Sequence, residues 1–394
     1  YPVQGGDMGS SLTPNAGTDA DTVDFVTALS AKGFAINDTV KSMYEALLPT
    51  FQTEIDNWGN ISLVNSITAP MIGAPFTSKE PSQGALDGQD SSWKDSLRSN
   101  NVLIVTIARA AGENRNYMPG EEGVDGSQGL NQTDPLGLSD DERDLIAAAV
   151  DAKNANGGKV IVLLNNASAM EIQELEDNEG IDAMLQIGLP GGYGFYGICD
   201  ILDGTVNPSG HLSDTYVVQN SLSPAAQNYG FLMWANAQPE ANINSAIVEA
   251  EGIYTGYKYY ETRYADTVLG QGNADSDVGS TGGAWSYDNE VTYPFGYGLS
   301  YTSFEQTLDS INVDLGSKTV TAEVTVTNTG SVSGKDAVEL YVSVPYTDHD
   351  ITNHVEKSAI QLLDYAKTGE IAPGESETVT ITADAQYMAS WDSL

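Results

Sequence analysis

Near-continuous apolar runs, separated by longer amphipathic stretches, characterise residues 101–187. VLIVTIA at 102–108 and KVIVLLNN at 159–166 contain few polar positions, as is typical of strands that are covered on both faces. A third run, IDAMLQI, occupies 181–187. Parallel strands need a long connection between them, and the intervening segments are long enough to supply one. The pattern therefore predicts three parallel strands joined by helices.

The segment between the first two strands carries the signals of a helix start and stop. SDDERDLIAAAVDAK at 139–153 opens with Ser139 and Glu142 at the spacing of a capping box, and Gly157 follows it as a stop signal. Helical spacing also predicts two helices within 20–52, a short one at 93–98 and one at 167–177. These helices would cover both faces of the sheet.

After residue 305 the hydrophobic period changes from helical spacing to two. KTVTAEVTVTNTG alternates small apolar residues with Thr and Glu, and AVELYVSV at 337–344 and ETVTITA at 377–383 are similar. The predicted inward positions of the first strand are Val320, Ala322, Val324 and Val326. Short alternating strands with turns between them predict a β-sandwich. The predicted domains are an α/β domain over 1–304, with a long irregular connection over about 204–304, and the all-β domain over 305–394.

The composition narrows the classes of ligand. The chain has 55 acidic and 16 basic residues in 394, and a formal net charge of −39, so nucleic acids and anionic membrane surfaces would be repelled. No apolar run is long enough for a membrane span. The single cysteine, Cys199, excludes an internal disulfide and is expected to be buried, and the three histidines lack metal-ligand spacing. We therefore expect no metal site.

Four segments are long enough to be distinctive. They are DILDGTVNPSGHLSDTY (200–216), EGIYTGYKYYETRY (251–264), VTYPFGYGLSYTSF (291–304) and VTNTGSVSGKDAVELYVSVP (326–345). In this order they resemble the second half of glycoside hydrolase family 3, whose best-known members are β-glucosidases. The resemblance implies an α/β sandwich followed by a fibronectin type III-like domain, in agreement with the pattern above.

The first residues resemble a subgroup of that family in which the domain order is permuted. YPVQGGDMGSS at 1–11 is similar to a Gly-rich segment of members in which the catalytic (β/α)8 barrel comes last. By this resemblance the first strand of the sandwich precedes Tyr1, and the barrel is absent from this chain. We expect the chain to be part of a longer enzyme and to be inactive alone.

An apolar strand that runs into an acidic loop resembles the family's acid/base motif, which is a strand, an Arg and then S-G-E-G. Ile107, Arg109, Gly112 and Glu113 match it, whereas Ala111 replaces the Ser and Asn114 the second Gly. The resemblance implies that Glu113 is the general acid/base. Glu122 is the alternative, because Glu122-Gly123-Val124-Asp125 is also similar to the motif. A third interpretation is that these carboxylates are solvated surface charge.

Further residues of the same loop are expected to contact the substrate. The implied set is Arg109, Asn114, Arg115 and Asp125, with Gly5 and Gly6 as weaker candidates. A guanidinium in direct contact with Glu113 would lower the pKa of the proton donor. We therefore expect Arg109 or Arg115 to pair elsewhere, with Asp125 or Glu121 as the candidate partners.

The implied activity is that of a retaining exo-β-glycosidase without a cofactor. A β-glucosidase acting on cello-oligosaccharides or on aryl and alkyl β-glucosides is favoured, with its Asp nucleophile supplied by a Ser-Asp-Trp motif on the barrel. Family members that hydrolyse β-xylosides or other β-glycosides are the alternative, and a non-catalytic carbohydrate-binding module is the alternative from another class. A bacterial origin is expected. Export to the periplasm or medium, residence in the cytoplasm and homo-oligomerisation are all left open.

Overall fold

The structure is a computed structural model, and it describes residues 23–47, 80–109, 134, 136–228, 233–238, 243–245, 251–271, 279–280 and 283–390. Its contacts divide the chain into two compact units, of which the first ends at Asp203 and the second begins at Gly204. Within the described ranges, no helix is both long enough and apolar enough to cross a membrane.

The first unit contains a short parallel sheet with helices around it. Its helices are α1 Phe25–Ala31, α2 (38–47), α3 Gln83–Gln89, α4 Trp93–Leu97, α5 Asp140–Asn156, α6 Gln173–Glu176 and α7 Phe195–Leu202. Its strands are β1 Val102–Ala108, β2 Lys159–Asn165 and β3 Ala183–Gln186. The strand order is β1-β2-β3, and both pairings are parallel. The three strands predicted from their apolar runs are thus confirmed.

Both faces of the central strand β2 are covered. Val162 and Leu163 are neighbours and point to opposite faces, yet both have 0% exposure. On the Leu163 face, α1 and α7 pack through Phe25 and Phe195, whose ring centroids are 5.7 Å apart. Cys199 of α7 is buried in the same cluster, as expected, and burial raises the pKa of its thiol to about 11. Each large apolar side chain buried here contributes about 1.5–3 kcal/mol.

Helix α5, which packs along β1 and β2, begins and ends where its sequence signals predict. The Ser139 Oγ accepts a hydrogen bond from the Glu142 amide at 3.2 Å, and a Glu142 carboxylate oxygen accepts one from the Ser139 amide at 2.9 Å. This reciprocal pair is the predicted capping box. Gly157 ends the helix in the left-handed conformation, with φ of 80°.

Two lysines form ion pairs with one carboxylate at the amino-terminal edge of the sheet. Lys153 of α5 and Lys159 of β2 each place Nζ 2.8 Å from a carboxylate oxygen of Asp182, next to β3. The same carboxylate accepts a hydrogen bond from the Val160 amide at 2.9 Å. These hydrogen bonds, with Lys153 the strongest contributor, lower the pKa of Asp182. The Asp182 carboxylate, which precedes β3, therefore bonds both to the end of α5 and to the start of β2.

The helix predicted at 167–177 is shorter than its pattern suggested. Only Gln173–Glu176 is helical, as the single turn α6. The Glu171 amide donates instead to the Leu136 carbonyl, at 3.0 Å, so a tertiary contact uses a donor that a helix would have needed. Met170 and Ile172 are both buried beside it. Tertiary packing has overridden local propensity here.

The second unit combines short elements with an antiparallel β-sandwich. Its helices are α8 Pro224–Asn228, α9 Tyr257–Thr267, α10 Tyr287–Glu290 and α11 Asp348–Asn353. Its shorter strands are β4 Tyr216–Val217, β5 Met233–Gln238, β6 Ile243–Ser245, β7 Gly279–Ser280, β8 Gly283–Ala284 and β9 Val291–Tyr293. Its longer strands are β10 Phe304–Asp314, β11 Thr319–Asn328, β12 Ala337–Val342, β13 Gln361–Lys367 and β14 Ser376–Asp384.

The alternating pattern of β11 is confirmed by its burial. Val320, Ala322, Val324 and Val326 are all buried. The strands β10, β11 and β14 form one antiparallel sheet, and β12 pairs with β13 in a second. Val338 and Ile381 contribute to the shared core. The predicted fold class, an α/β layer arrangement followed by an all-β sandwich, is thus confirmed.

The connection expected to be irregular over 204–304 contains an 11-residue helix, α9. In its sequence, YKYYETRYADT, one tyrosine is buried and three are half-buried, so a helical hydrophobic period is hard to detect. Tyr260, Arg263 and Ala265 form its buried side.

The left-handed Gly157 and the helical Gly88 form a matched pair for mutation. A Cβ added at either glycine would meet no atom within 4 Å, so only backbone preference changes. Gly157→Ala should lower the free energy of unfolding by about 1–2 kcal/mol, the cost of the left-handed conformation. Gly88→Ala, inside α3, should raise it by about 0.5–1 kcal/mol. Urea denaturation followed by circular dichroism measures both, and changes of the same sign would contradict this account.

Candidate functional site

Polar side chains collect where the three parallel strands end. The strands are in register from Ala108 opposite Asn165 to Leu164 opposite Gln186, so their carboxyl ends lie at one edge of the sheet. Open α/β sheets bind their ligands outside this edge. Arg109 follows β1 directly, and Asn166 follows β2. The edge is therefore the part of the first unit where a functional site is expected.

Arg109 forms a buried ion pair with Glu142 of α5. Its Nη1 lies 2.7 Å from Oε1 of the carboxylate, and its Nη2 lies 2.7 Å from Oε2. The two side chains have only 1% and 4% exposure. Two parallel charge-assisted hydrogen bonds of this kind fix orientation as well as distance. An arginine paired with a carboxylate other than Glu113 was expected, and Glu142 is such a partner for Arg109. The candidate partners Asp125 and Glu121 lie outside the described residues.

The same guanidinium also bonds to the backbone on both sides of the segment 110–133. Nη1 donates to the Ala108 carbonyl at 2.7 Å, on the stem that leaves β1. Nη2 donates to the Gly137 carbonyl at 2.5 Å, on the stem that leads into α5. We call residues 108–109 the outgoing stem and residues 134 and 136–139 the returning stem. One side chain thus connects both stems with the start of a helix.

The returning stem has its own local structure. The side-chain carboxylate of Asp134 accepts a hydrogen bond from the Leu136 amide at 2.8 Å. The backbone carbonyl of Asp134 accepts one from the Gly137 amide at 3.0 Å, which closes a tight turn. Leu136 and Leu138 are buried. The Leu136 carbonyl accepts from Glu171, as described above. The position at which the chain rejoins the sheet edge is therefore set by packing and by hydrogen bonds.

Two buried asparagines complete the edge beside Arg109. The Arg109 amide donates to the Asn165 carbonyl at 3.1 Å, and the Asn165 side chain donates to the Gly188 carbonyl at 2.6 Å. Asn166 accepts from the Gln186 side chain through its carbonyl, at 3.0 Å, and through its amide oxygen, at 3.2 Å. Sequence reasoning did not single out these amides. A pair of asparagines at the end of an apolar run was the available signal.

A carboxyl group with a shifted pKa lies near the start of α5. Burial raises the pKa of Glu80 to about 7, and the carboxylates of Glu142 and Asp141 add to this shift. The Tyr44 hydroxyl donates to Glu80 at 2.5 Å, which opposes the shift. Burial also raises the pKa of Tyr44 well above its usual value. Sequence reasoning missed this pair, because neither residue belongs to a motif.

Of the predicted site residues, Arg109 is the one that the structure describes. Glu113, Asn114, Arg115, Glu122, Asp125, Gly5 and Gly6 lie outside the described residues. Arg109 is brought together with Glu142 and Gly137, which sequence reasoning had not connected with it. Among the side chains that are described, no group of three or more His, Cys, Asp or Glu is arranged to hold a metal ion.

The shifted pKa of Glu80 predicts a pH-dependent stability. Its pKa is about 7 in the folded chain against an ordinary 4.5, so the folded state binds the extra proton between these values. Stability contributed by this group is present below about pH 4.5 and is lost as pH rises through about 7. Glu80→Gln cannot ionise and should lose less stability over that interval. Urea midpoints at about pH 5 and about pH 8 measure the difference.

The exposed Glu179→Gln removes one carboxylate from the same unit and is the matched control. Equal pH slopes for wild type and Glu80→Gln would contradict the assignment.

Comparison with known proteins identifies the family. The model described as glycosyl hydrolase family 3 C-terminal domain matches residues 15–301, and the fibronectin type III-like domain model matches residues 336–394. Beta-glucosidase A of Butyrivibrio fibrisolvens is 32% identical over 252 residues, which are 61% of this chain and 26% of that protein. A beta-glucosidase of Ruminococcus albus is 27% identical over 303 residues, which are 77% of this chain and 26% of that protein.

A solved structure is similar over almost the whole chain. The match to beta-glucosidase 3B from Thermotoga neapolitana in complex with glucose has a TM-score of 0.69 and 25% identity, and it covers 99% of this chain and 44% of that one. The chain thus spans 26% of the length of each of the two curated relatives. On the evidence of its motifs, its fold and a family model that matches most of its length, this chain belongs to glycoside hydrolase family 3 and comprises the family's C-terminal domain with a fibronectin type III-like domain.

Proposed function

We propose that this chain is the acid/base-bearing part of a retaining exo-β-glucosidase. The observation that carries the proposal is that Arg109 bonds to both stems at the carboxyl edge of the sheet. The motif residue Glu113 follows Arg109 by four positions, so it belongs to the segment that these stems hold at that edge. The names of the two curated relatives support β-glucosidase as the activity. The favoured substrates are cello-oligosaccharides and aryl or alkyl β-glucosides.

The chemistry needs two carboxyl groups with different roles. In a retaining glycosidase one carboxylate attacks the anomeric carbon, while the other carboxyl group donates a proton to the leaving oxygen, and the two lie about 5–5.5 Å apart. We assign the proton donor to Glu113, with Glu122 as the alternative, and the nucleophile to an Asp on a (β/α)8 barrel outside residues 1–394. Residues 1–394 alone would then lack one of the two groups, and turnover should require the barrel.

The proton donor needs a raised pKa, which burial against the bound substrate would supply. Asn114, Arg115 and Asp125 are proposed to contact the substrate beside it, and Gly5 and Gly6 to let the backbone approach the sugar. Arg109 is paired with Glu142, and that negative charge offsets part of the effect that the guanidinium would have on the pKa of a nearby donor.

The assignment of the acid is testable in the full-length protein that carries this chain and its barrel. Glu113→Ala should lower kcat/KM for β-glucosides with poor leaving groups by about 10²–10⁴, the usual contribution of a general acid, and should affect good leaving groups far less. Azide should restore turnover of the good leaving groups, because it can attack the glycosyl-enzyme without general-base assistance. Steady-state kinetics on a series of aryl β-glucosides measures both effects.

Glu121→Ala and Glu122→Ala remove the same charge from the same loop and are the matched controls. If Glu122→Ala shows the leaving-group and azide signature and Glu113→Ala does not, the acid is Glu122. If neither variant shows it, the chain is a non-catalytic module or uses another donor. Replacing the glucosides by β-xylosides in the same series decides the glycone.

A further inference from the structure

The Arg109–Glu142 ion pair connects elements that are far apart in sequence and that meet at the sheet edge. Nη1 and Nη2 of one guanidinium make hydrogen bonds to two carboxylate oxygens and to two carbonyl oxygens, at 2.5–2.7 Å. The carbonyls belong to Ala108 on the outgoing stem and to Gly137 on the returning stem. The carboxylate oxygen Oε2 also accepts from the Ser139 amide. The pair therefore fixes the entry, the exit and the helix start together.

We propose that Arg109 and Glu142 are positioning residues for the proton donor of the glycosidase reaction. This inference rests on the function proposed above and gives Arg109 a role other than direct substrate contact. The ion pair sets the separation and direction of the two stems, and the stems set where the acidic loop is delivered.

The distance along the chain makes this control effective for Glu113. Glu113 is four positions beyond Arg109, and an extended chain spans at most about 3.3–3.6 Å per residue, so the Cα atoms of the two residues can be at most about 14 Å apart. Glu122 is thirteen residues from Arg109 and twelve from Asp134, so either stem constrains it much less. A misplacement of about 1 Å in a catalytic group can cost about 10²-fold in rate.

The chemistry of the pair requires both of its members. Lysine would keep the positive charge at position 109, but its single nitrogen cannot reach two carboxylate oxygens and two carbonyls in one plane. Glutamine at position 142 would still accept from the Ser139 amide, because Gln also serves in a capping box. It would lose the negative charge and one of the two acceptors facing the guanidinium. Arg109→Lys and Glu142→Gln therefore disturb the pair from opposite sides while keeping the neighbouring groups.

The experiment uses these two variants in the full-length protein, with Ser139→Ala as the matched control. Ser139→Ala removes the other hydrogen bond of the capping box and leaves the guanidinium and the carboxylate in place. Thermal unfolding first establishes which variants fold. The readout is the ratio of kcat/KM for good over poor leaving groups on aryl β-glucosides, which a general loss of stability does not change.

The proposal predicts that Arg109→Lys and Glu142→Gln raise this ratio about 10- to 100-fold, whereas Ser139→Ala leaves it within about threefold of wild type. Hydrogen exchange should also be faster at the Gly137 and Ser139 amides in Glu142→Gln, with β2 unchanged. An unchanged ratio in a folded variant overturns the proposal, as does the same rise in Ser139→Ala. If neither Arg109→Lys nor Glu142→Gln folds, the pair serves the fold alone and the proposal is again overturned.

The two levels of proposal fail differently. If Glu113→Ala shows the leaving-group signature and neither pair variant does, only the positioning role is lost. If no glutamate of the loop shows the signature, the proposed function fails and the positioning role fails with it, even where the hydrogen-exchange result holds.

Discussion

A single buried guanidinium–carboxylate contact holds together the part of the molecule where the sheet meets its acidic loop. Arg109 and Glu142 are both withdrawn from water, and such a pair is tolerated only when its geometry is good and its other hydrogen bonds are satisfied. Here two backbone carbonyls and the start of a 17-residue helix supply those bonds. The contact therefore has consequences well beyond the two residues that make it.

Basic side chains are scarce in this chain, so each ion pair uses one of a small number of positive charges. With 16 basic residues against 55 acidic ones, most carboxylates have no cation available, and long-range repulsion opposes compaction. Three cations of the first unit pair with carboxylates at the two edges of the sheet. Lys153 and Lys159 meet at Asp182 on the amino-terminal edge, and Arg109 meets Glu142 on the other. Close, partly buried pairs are screened less than surface charges, so they persist in salt.

The second unit shows the same dependence on packing in a different form. Strand β11 could be predicted because its inward residues alternate regularly, whereas β10 pairs beside it with most of its residues exposed. Leu308, Ile311 and Val313 of β10 stand opposite buried residues of β11, yet each is more than half exposed. The apolar residues of β10 do not keep a strict period of two, because the register shifts between Leu308 and Ser310. The pairing of this strand is therefore visible only in the folded chain.

Local signals in the sequence were sufficient for the elements of the sheet edge. The apolar runs predicted β1 and β2, and Ser139, Glu142 and Gly157 predicted the limits of α5, because hydrophobic period, capping and the left-handed glycine act over a few neighbouring residues. The family motifs likewise indicated the fold class. Only the tertiary structure decided that Arg109 takes Glu142 as its partner, that burial raises the pKa of Glu80, and that Glu171 bonds to Leu136 instead of extending a helix. Each of these depends on which groups meet although tens of residues separate them in the chain, and on how far those groups are removed from water. Neither the contacts nor the burial can be read from a short stretch of sequence.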